Sequence, residues 1–290
     1  MQNTGSQAGE HLDSLDIYSS YRRSRYLSLK HVSYFQVYEE LLSRYRNRKC
    51  TFVEVGVSNG GSLFMWRDYF GPEARVIGID LNPLARKWSD EGFEIHIGNQ
   101  ADPRFWENFF SVVGDVDVVV DDGGHTNEQQ IVTAHCCIPH IRDGGMLIVE
   151  DTHASYLRLF GNPSRYSFMN YAKRTIDRIN ARFPGLHGAD DAWEKCVHSM
   201  RVYESIVCFN VDRERCFVNS PTSNDGISSD ARDFRYEGAG AGRLLRLRNV
   251  LRKRFGRNPR RVRVQCQGAP LRHESQTTRE RGYEHRALSR

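Results

Sequence analysis

The sequence predicts an α/β fold: a mostly parallel sheet with helices on both faces and a C-terminal β hairpin. Short apolar runs alternate with helix-patterned segments over about 150 residues. The apolar runs lack the in/out alternation of a half-exposed sheet, which points to strands covered on both sides. The last patterned stretch, "VHSMRVYESIVCFNV" (197–211), reads as two short β segments joined in a hairpin.

Taken in order, residues 1–27 read as a polar, mobile lead, and the folded domain is expected over 28–218. "SLKHVSYFQVYEELLSRYR" (28–46) carries Val32, Phe35, Val37, Tyr38, Leu41, Leu42 and Tyr45 near helical spacing. "TFVEVGV" (51–57) is a buried strand that breaks at "SNGGS", and "LFMWRDYF" is the helix after it. "ARVIGIDL" (74–81) and "FEIHIGN" (93–99) are the second and third strands, followed by a helix in "PRFWENFFSVV" (103–113). "VDVVVDD" (116–122) is the fourth strand, and "NEQQIVTAHCCIPHI" (127–141) a helix stopped by "RDGG". "MLIVED" (146–151) is the fifth strand, with a helix expected over 164–183. "NSPTSNDGISSDARD" opens a linker, 219–242.

At 290 residues, 39% hydrophobic and 27% charged, the chain fits one large globular domain. No apolar run reaches the ~20 residues of a membrane helix. "MQNTGSQAGEHLDS" has neither the basic start nor the apolar centre of a secretory signal. The seven cysteines show no C-x-x-C spacing, so reduced thiols and a cytoplasmic location are expected. The net charge of +5 is unevenly spread. Residues 243–290 hold fourteen Arg and one Lys against three Glu, a net of +12, which leaves −7 on the preceding 242.

A ligand on such a sheet belongs outside the carboxyl ends of the strands. The first strand ends in "EVGVSNGGS", where Gly56, Gly60 and Gly61 permit close backbone approach. The spacing is neither G-x-G-x-x-G nor a Walker loop, which argues against a dehydrogenase or a nucleotide triphosphatase. Asp80, at the end of the second strand, is placed to accept hydrogen bonds from ribose hydroxyls. The blander alternative is a glycine turn with a solvated Asp.

The fourth strand ends in Asp121 and Asp122, the fifth in Glu150 and Asp151. Neighbouring strand tips lie about 5 Å apart, so bare carboxylates would repel one another. A hard divalent cation such as Mg²⁺ relieves that conflict. If Asp121 points toward a cofactor, alternation turns Asp122 the other way, toward a metal. The competing reading is a set of strand-end Asp residues capping helices.

"VEVGVSNGGSLFMWRDYF" followed by "VIGIDLNP" resembles the cofactor half of class I S-adenosylmethionine methyltransferases. "GGSLFMW" together with "DDGGH" narrows the likeness to the metal-dependent sugar O-methyltransferases of antibiotic biosynthesis, the mycinamicin and rhamnosyl type. The resemblance spans about residues 28–212. It implies a Rossmann-like sheet, S-adenosyl-L-methionine and Mg²⁺ as cofactors, and transfer of methyl to a hydroxyl on a glycosylated natural product or glycan. The family's D-x-x-H and E-D patterns map onto Asp122 with His125 and onto Glu150 with Asp151. The expected metal ligands are Asp122, Glu150 and Asp151, with His125 as general base. The expected cofactor contacts are Glu54, Gly56, Ser58, Gly60, Ser62, Asp80, Gln100 and Asp121, with Gln100 near the adenine. Gly124 departs from the family, which often has Ser before the histidine. His153, Ser155 and Tyr156 are candidates for the acceptor pocket, and a homo-oligomer is a further expectation from the family.

"GRLLRLRNVLRKRFGRNPRRVRV" (242–264), outside the resemblance, is a disordered cationic extension or an amphipathic helix able to contact anionic lipid or an acidic partner. Nucleic acid is the weaker candidate for it. A catechol-like acceptor, a nucleic-acid methyltransferase and an inactive binding module are the competing functions.

Overall fold

The computed structural model describes residues 12–160, 164–184, 186 and 192–227. The remainder of the linker and the basic tail expected over 243–290 lie outside the described residues, as does most of the first part of the lead. The strands are β1 (Cys50–Val55), β2 (Ala74–Asp80), β3 (Glu94–Ile97), β4 (Val116–Asp121), β5 (Ile141–Val149), β6 (Val197–Tyr203) and β7 (Ile206–Val211). They form a 7-stranded sheet in the order β3-β2-β1-β4-β5-β7-β6. β1 to β5 pair in parallel, whereas β7 runs antiparallel to both β5 and β6. The expected α/β sheet and terminal hairpin are both present.

Both faces of the sheet are buried, for the reason the apolar runs suggested. Phe52, Val118 and Val120 face one layer, packed with Tyr38 and Leu41 of α2 (Tyr34–Leu42) and Trp66 and Phe70 of α3 (Gly61–Phe70). Val53, Val55 and Val119 face the other, with Trp106 and Phe109 of α4 (Pro103–Val113), Ala134 and Cys137 of α5 (Asn127–Cys137) and Phe168 of α6 (Phe168–Ala181). Each fully buried Phe or Val contributes roughly 1.5–3 kcal/mol by leaving water. A short helix at Ala192–Cys196 adds Trp193 to the second layer.

The helix starts follow their capping chemistry. Asp102 accepts from the Arg104 N–H ahead of Pro103, and Ser167 accepts from the Asn170 N–H. Thr126 and Gln129 form a reciprocal capping box at α5.

Several boundaries differ from the sequence reading. The lead is not polar and unstructured throughout: α1 (Asp16–Arg23) is a helix whose Ile17 is fully buried in the first layer. The helix expected over 127–141 ends at Cys137, gives one tight turn at Ile138–His140, and passes directly into β5. β5 therefore starts at Ile141 rather than Met146, and its pairing with β4 shifts register between Val116 and Val118. Gly144 (φ 82°) carries the chain through that irregularity, so the "RDGG" stretch enters the strand instead of preceding it. No described helix is long and apolar enough to cross a membrane.

The chain runs outward from β1 to β2 and β3, then crosses back to β4 on the other side of β1. Strand order thus reverses between β1 and β4, and a crevice opens beyond their carboxyl ends.

Candidate active site

A cleft of about 600 Å³ occupies that crevice. Backbone pairing continues one residue past the strands: Asp122 N–H donates to Val55 O at 3.0 Å, and Glu150 N–H to Asp121 O at 2.9 Å. The tips of β1, β4 and β5 are thereby locked side by side. Gly56, with φ 94°, lies so close to the β4 tip that an added Cβ would come 2.1 Å from the Asp122 carbonyl oxygen. Only glycine fits there.

Gly56, Ser58, Ser62, Asp80 and Gln100 all line the cleft, as expected. Asp80 Oδ2 accepts from the Val57 and Ser58 N–H groups at 3.0 and 2.9 Å, so it fixes the glycine loop as well as facing the cleft. Gln100 is buried, held by Asp121 and by the Gly124 N–H.

Three expected cofactor contacts sit elsewhere. Glu54 is fully buried beneath the loop, accepting from Ser62 Oγ at 2.7 Å and Trp66 Nε1 at 2.9 Å. Its task is to tie β1 to α3, and burial pushes its carboxyl up to about 7, against the opposing pull of Lys30. Asp121 is also fully buried; Oδ1 takes Gln100 Nε2 at 2.8 Å and the Gly123 N–H at 3.2 Å, so it orients Gln100 from behind. Burial raises its carboxyl as well. Alternation along β4 explains the position: Asp122, not Asp121, is the β4 carboxylate at the cleft. Gly60 turns against the Trp88 indole rather than the cleft.

The acidic cluster divides into two layers. In the outer one, ligand atoms of Asp122, His125 and Asp151 all lie within 4.8 Å of one another at the cleft rim. His125 Nε2 is 3.3 Å from Asp151 Oδ2 and 3.9 Å from Asp122 Oδ1. His125 (φ 57°) and Asp151 (φ 52°) both hold left-handed backbone, on the order of 1–3 kcal/mol of strain each. Non-glycine residues keep such angles where the surroundings over-determine them, which is common at active sites.

The inner layer holds Glu150, expected from the sequence as a third metal ligand. Glu150 is fully buried; Oε1 accepts from Tyr38 Oη at 2.6 Å and Oε2 from Lys30 Nζ at 3.0 Å. It does not join Asp122 and Asp151 at the rim. Burial pushes its carboxyl upward, with Lys30 pulling the other way and Asp122 adding to the rise. Lys30 Nζ also donates to Asp122 Oδ2 at 2.6 Å and lies 4.0 Å from Glu54 Oε1. Burial alone would lower the ammonium's pKa, but Asp122 and Glu150 more than reverse that.

Sequence reasoning missed Lys30, His31, Tyr34 and Ser205. Tyr34 Oη donates to Asp151 Oδ1 at 2.5 Å, and the Ser205 hydroxyl, 2.8 Å from it, lies in the β6–β7 turn. His31 and His153 flank the same carboxylate at 3.7 and 3.9 Å. Tyr34 and Tyr38, four apart on α2, share a face. That spacing was the available signal. Lys30 and His31 precede the helix and carry no local motif.

The Gly56 backbone leaves no room for a side chain, and Asp80 stands at the β2 tip, so a nucleoside-bearing cofactor suits the cleft. The all-oxygen pair Asp122 and Asp151 suits a hard divalent cation, with His125 beside it.

Comparison with known proteins agrees. Residues 53–152 match a family model described as a methyltransferase domain. The 8-demethyl-8-alpha-L-rhamnosyl tetracenomycin-C 2'-O-methyltransferase of Streptomyces olivaceus is 29% identical over 181 residues, covering 56% of this chain and 47% of that one. Mycinamicin VI 2''-O-methyltransferase of Micromonospora griseorubida is 31% identical over 132 residues, covering 43% and 32%. The chain thus spans less than half the length of these curated relatives. Among solved structures, the MycE methyltransferase of the mycinamycin pathway, in complex with Mg and SAH, superposes with a TM-score of 0.61 at 23% identity, covering 69% of this chain and 54% of that one. Residues 53–152 thus carry a methyltransferase domain, and the chain is similar over part of its length to antibiotic-sugar O-methyltransferases.

Proposed function

We propose that the protein is an S-adenosylmethionine- and Mg²⁺-dependent O-methyltransferase acting on a sugar hydroxyl of a glycosylated small molecule. The observation that carries this reading is the convergence of Asp122, His125 and Asp151 at the rim of the cleft, next to the Gly56 loop. The named relatives methylate sugars on such molecules, which supports the acceptor class.

When bound, the cofactor supplies an electrophilic methyl group and the metal supplies Lewis acidity at the acceptor oxygen. The residues here do the rest. Gly56 and Ser58 would let the backbone lie against the cofactor, and Asp80 would accept from its ribose. Gln100, held by Asp121, closes the floor. Asp122 and Asp151 would hold the metal. His125 Nε2, 3.3 Å from Asp151 Oδ2, would take the hydroxyl proton.

The test is transfer of labelled methyl across glycosylated polyketides, free sugars, catechols and RNA, with and without a chelator. Labelled glycoside that disappears with chelation supports the reading. Label on catechol or RNA alone, or transfer indifferent to chelation, contradicts it.

A further inference from the structure

Lys30 is the one described lysine whose side chain is shut inside this site, 2% exposed. A lysine is almost never fully buried unless paired. Its ammonium lies between two carboxylates, 2.6 Å from Asp122 Oδ2 and 3.0 Å from Glu150 Oε2, with Glu54 Oε1 at 4.0 Å. The Tyr38 ring is 5.7 Å off, and its hydroxyl occupies the other Glu150 oxygen. Both oxygens of Glu150 are therefore taken by groups of this chain.

We propose that the Lys30 ammonium fills the cation position between Asp122 and Glu150, so that Glu150 is withheld from the metal and the ion is confined to the rim carboxylates Asp122 and Asp151. This rests on the metal reading above and departs from the ligand set that the E-D strand end suggested.

The argument is one of charge and spacing. An ammonium bridges oxygens at 2.6–3.0 Å here, whereas Mg²⁺ draws its ligands to 2.0–2.1 Å. The two cations cannot share one gap between the same oxygens. Asp122 can serve both, because Oδ2 faces Lys30 and Oδ1 faces His125. A fixed positive charge so close also opposes the approach of a divalent ion. Removing it while keeping Glu150 should convert a site with two carboxylates into one with three.

Mn²⁺ binding, followed by electron paramagnetic resonance and by thermal melting, tests this without reference to turnover. In wild type, Asp122→Asn and Asp151→Asn should each weaken Mn²⁺ at least tenfold, and Glu150→Gln should change it less than about threefold. Lys30→Met should bind Mn²⁺ at least tenfold more tightly than wild type and melt higher when Mn²⁺ is added, and Lys30→Met/Glu150→Gln should lose that gain. A Lys30→Met variant that binds Mn²⁺ when wild type does not shows Lys30 holding the cation position but overturns the rim site of the proposal, and with it the metal of the function proposed above. Glu150→Gln can still accept from Lys30 through its amide oxygen while its NH₂ donates to Tyr38 Oη, so it reports even if Lys30→Met fails to fold. Loss of Mn²⁺ in Glu150→Gln as deep as in Asp122→Asn overturns the proposal. So does a folded Lys30→Met with no gain in affinity.

Discussion

Gly56→Ala isolates the contact that brings the glycine loop against the β4 tip. The new Cβ would lie 2.1 Å from the Asp122 carbonyl oxygen and 2.7 Å from its carbonyl carbon. An ordinary contact is about 3.4 Å or more, so the β1 loop or the β4 tip must retreat by roughly 1 Å. The φ of 94° adds about 1–2 kcal/mol for a residue with a Cβ. A loss near 2 kcal/mol should lower the melting temperature by roughly 4–8 °C. The functional loss should be larger, because a 1 Å misplacement of positioning groups can cost ~10²-fold in rate. Gly114→Ala is the control: its φ is 75°, but nothing lies within 4 Å of the added Cβ. It should show the conformational cost alone. The assay pairs thermal melting with calorimetric binding of S-adenosylhomocysteine. Gly56→Ala should weaken binding at least tenfold and Gly114→Ala not at all. Equal binding by both variants would refute the claim that the close approach of β1 to β4 builds the cofactor cleft.

Other expectations follow from the same geometry. His125→Ala should cut the methyl-transfer rate ~10²–10⁴-fold while S-adenosylhomocysteine binding holds within about twofold, measured by calorimetry beside single-turnover rates. Glu54, raised to about 7 by burial, favours the fold most when protonated. Its contribution is complete below the ordinary carboxylate range and is lost as pH rises through about 7, by up to ~3 kcal/mol. Glu54→Gln should therefore flatten the fall in melting temperature between pH 5.5 and 8.5; an unchanged slope would show that Glu54 is not the group responsible. Gly124→Ser would set a Cβ 2.4 Å from Gln129 Oε1, which also receives the Thr126 N–H and hydroxyl of the capping box. It should cost ~1 kcal/mol, roughly 2–4 °C in melting temperature, with less than a tenfold loss of activity.

Much of the sheet was legible because its strands are short, apolar and punctuated by Gly, Asp and Pro. Where β5 begins was not, since "RDGG" reads locally as a stop and is overridden by pairing with β4. The helix at Asp16–Arg23 was hidden because it is polar on most positions and is fixed by burying Ile17. At the site, the places of Gly56, Asp80, Asp122, His125 and Asp151 along the cleft could be read from strand ends and spacing. Glu54, Asp121 and Glu150 could be located but not assigned, because whether a strand-end carboxylate faces the cleft or the core depends on its partners across the fold. For Glu150 those partners are Lys30 and Tyr38, respectively 120 and 112 residues away in sequence. No local pattern encodes such a contact.

The most direct test of the central claim is a crystal of the protein grown with S-adenosylhomocysteine and Mn²⁺, examined for anomalous scattering. The account predicts the nucleoside against Asp80 and the Gly56 loop, and one Mn²⁺ peak bonded to Asp122 and Asp151, beside the homocysteine sulfur. A peak remote from those two carboxylates, or a nucleoside bound elsewhere on the sheet, would contradict it.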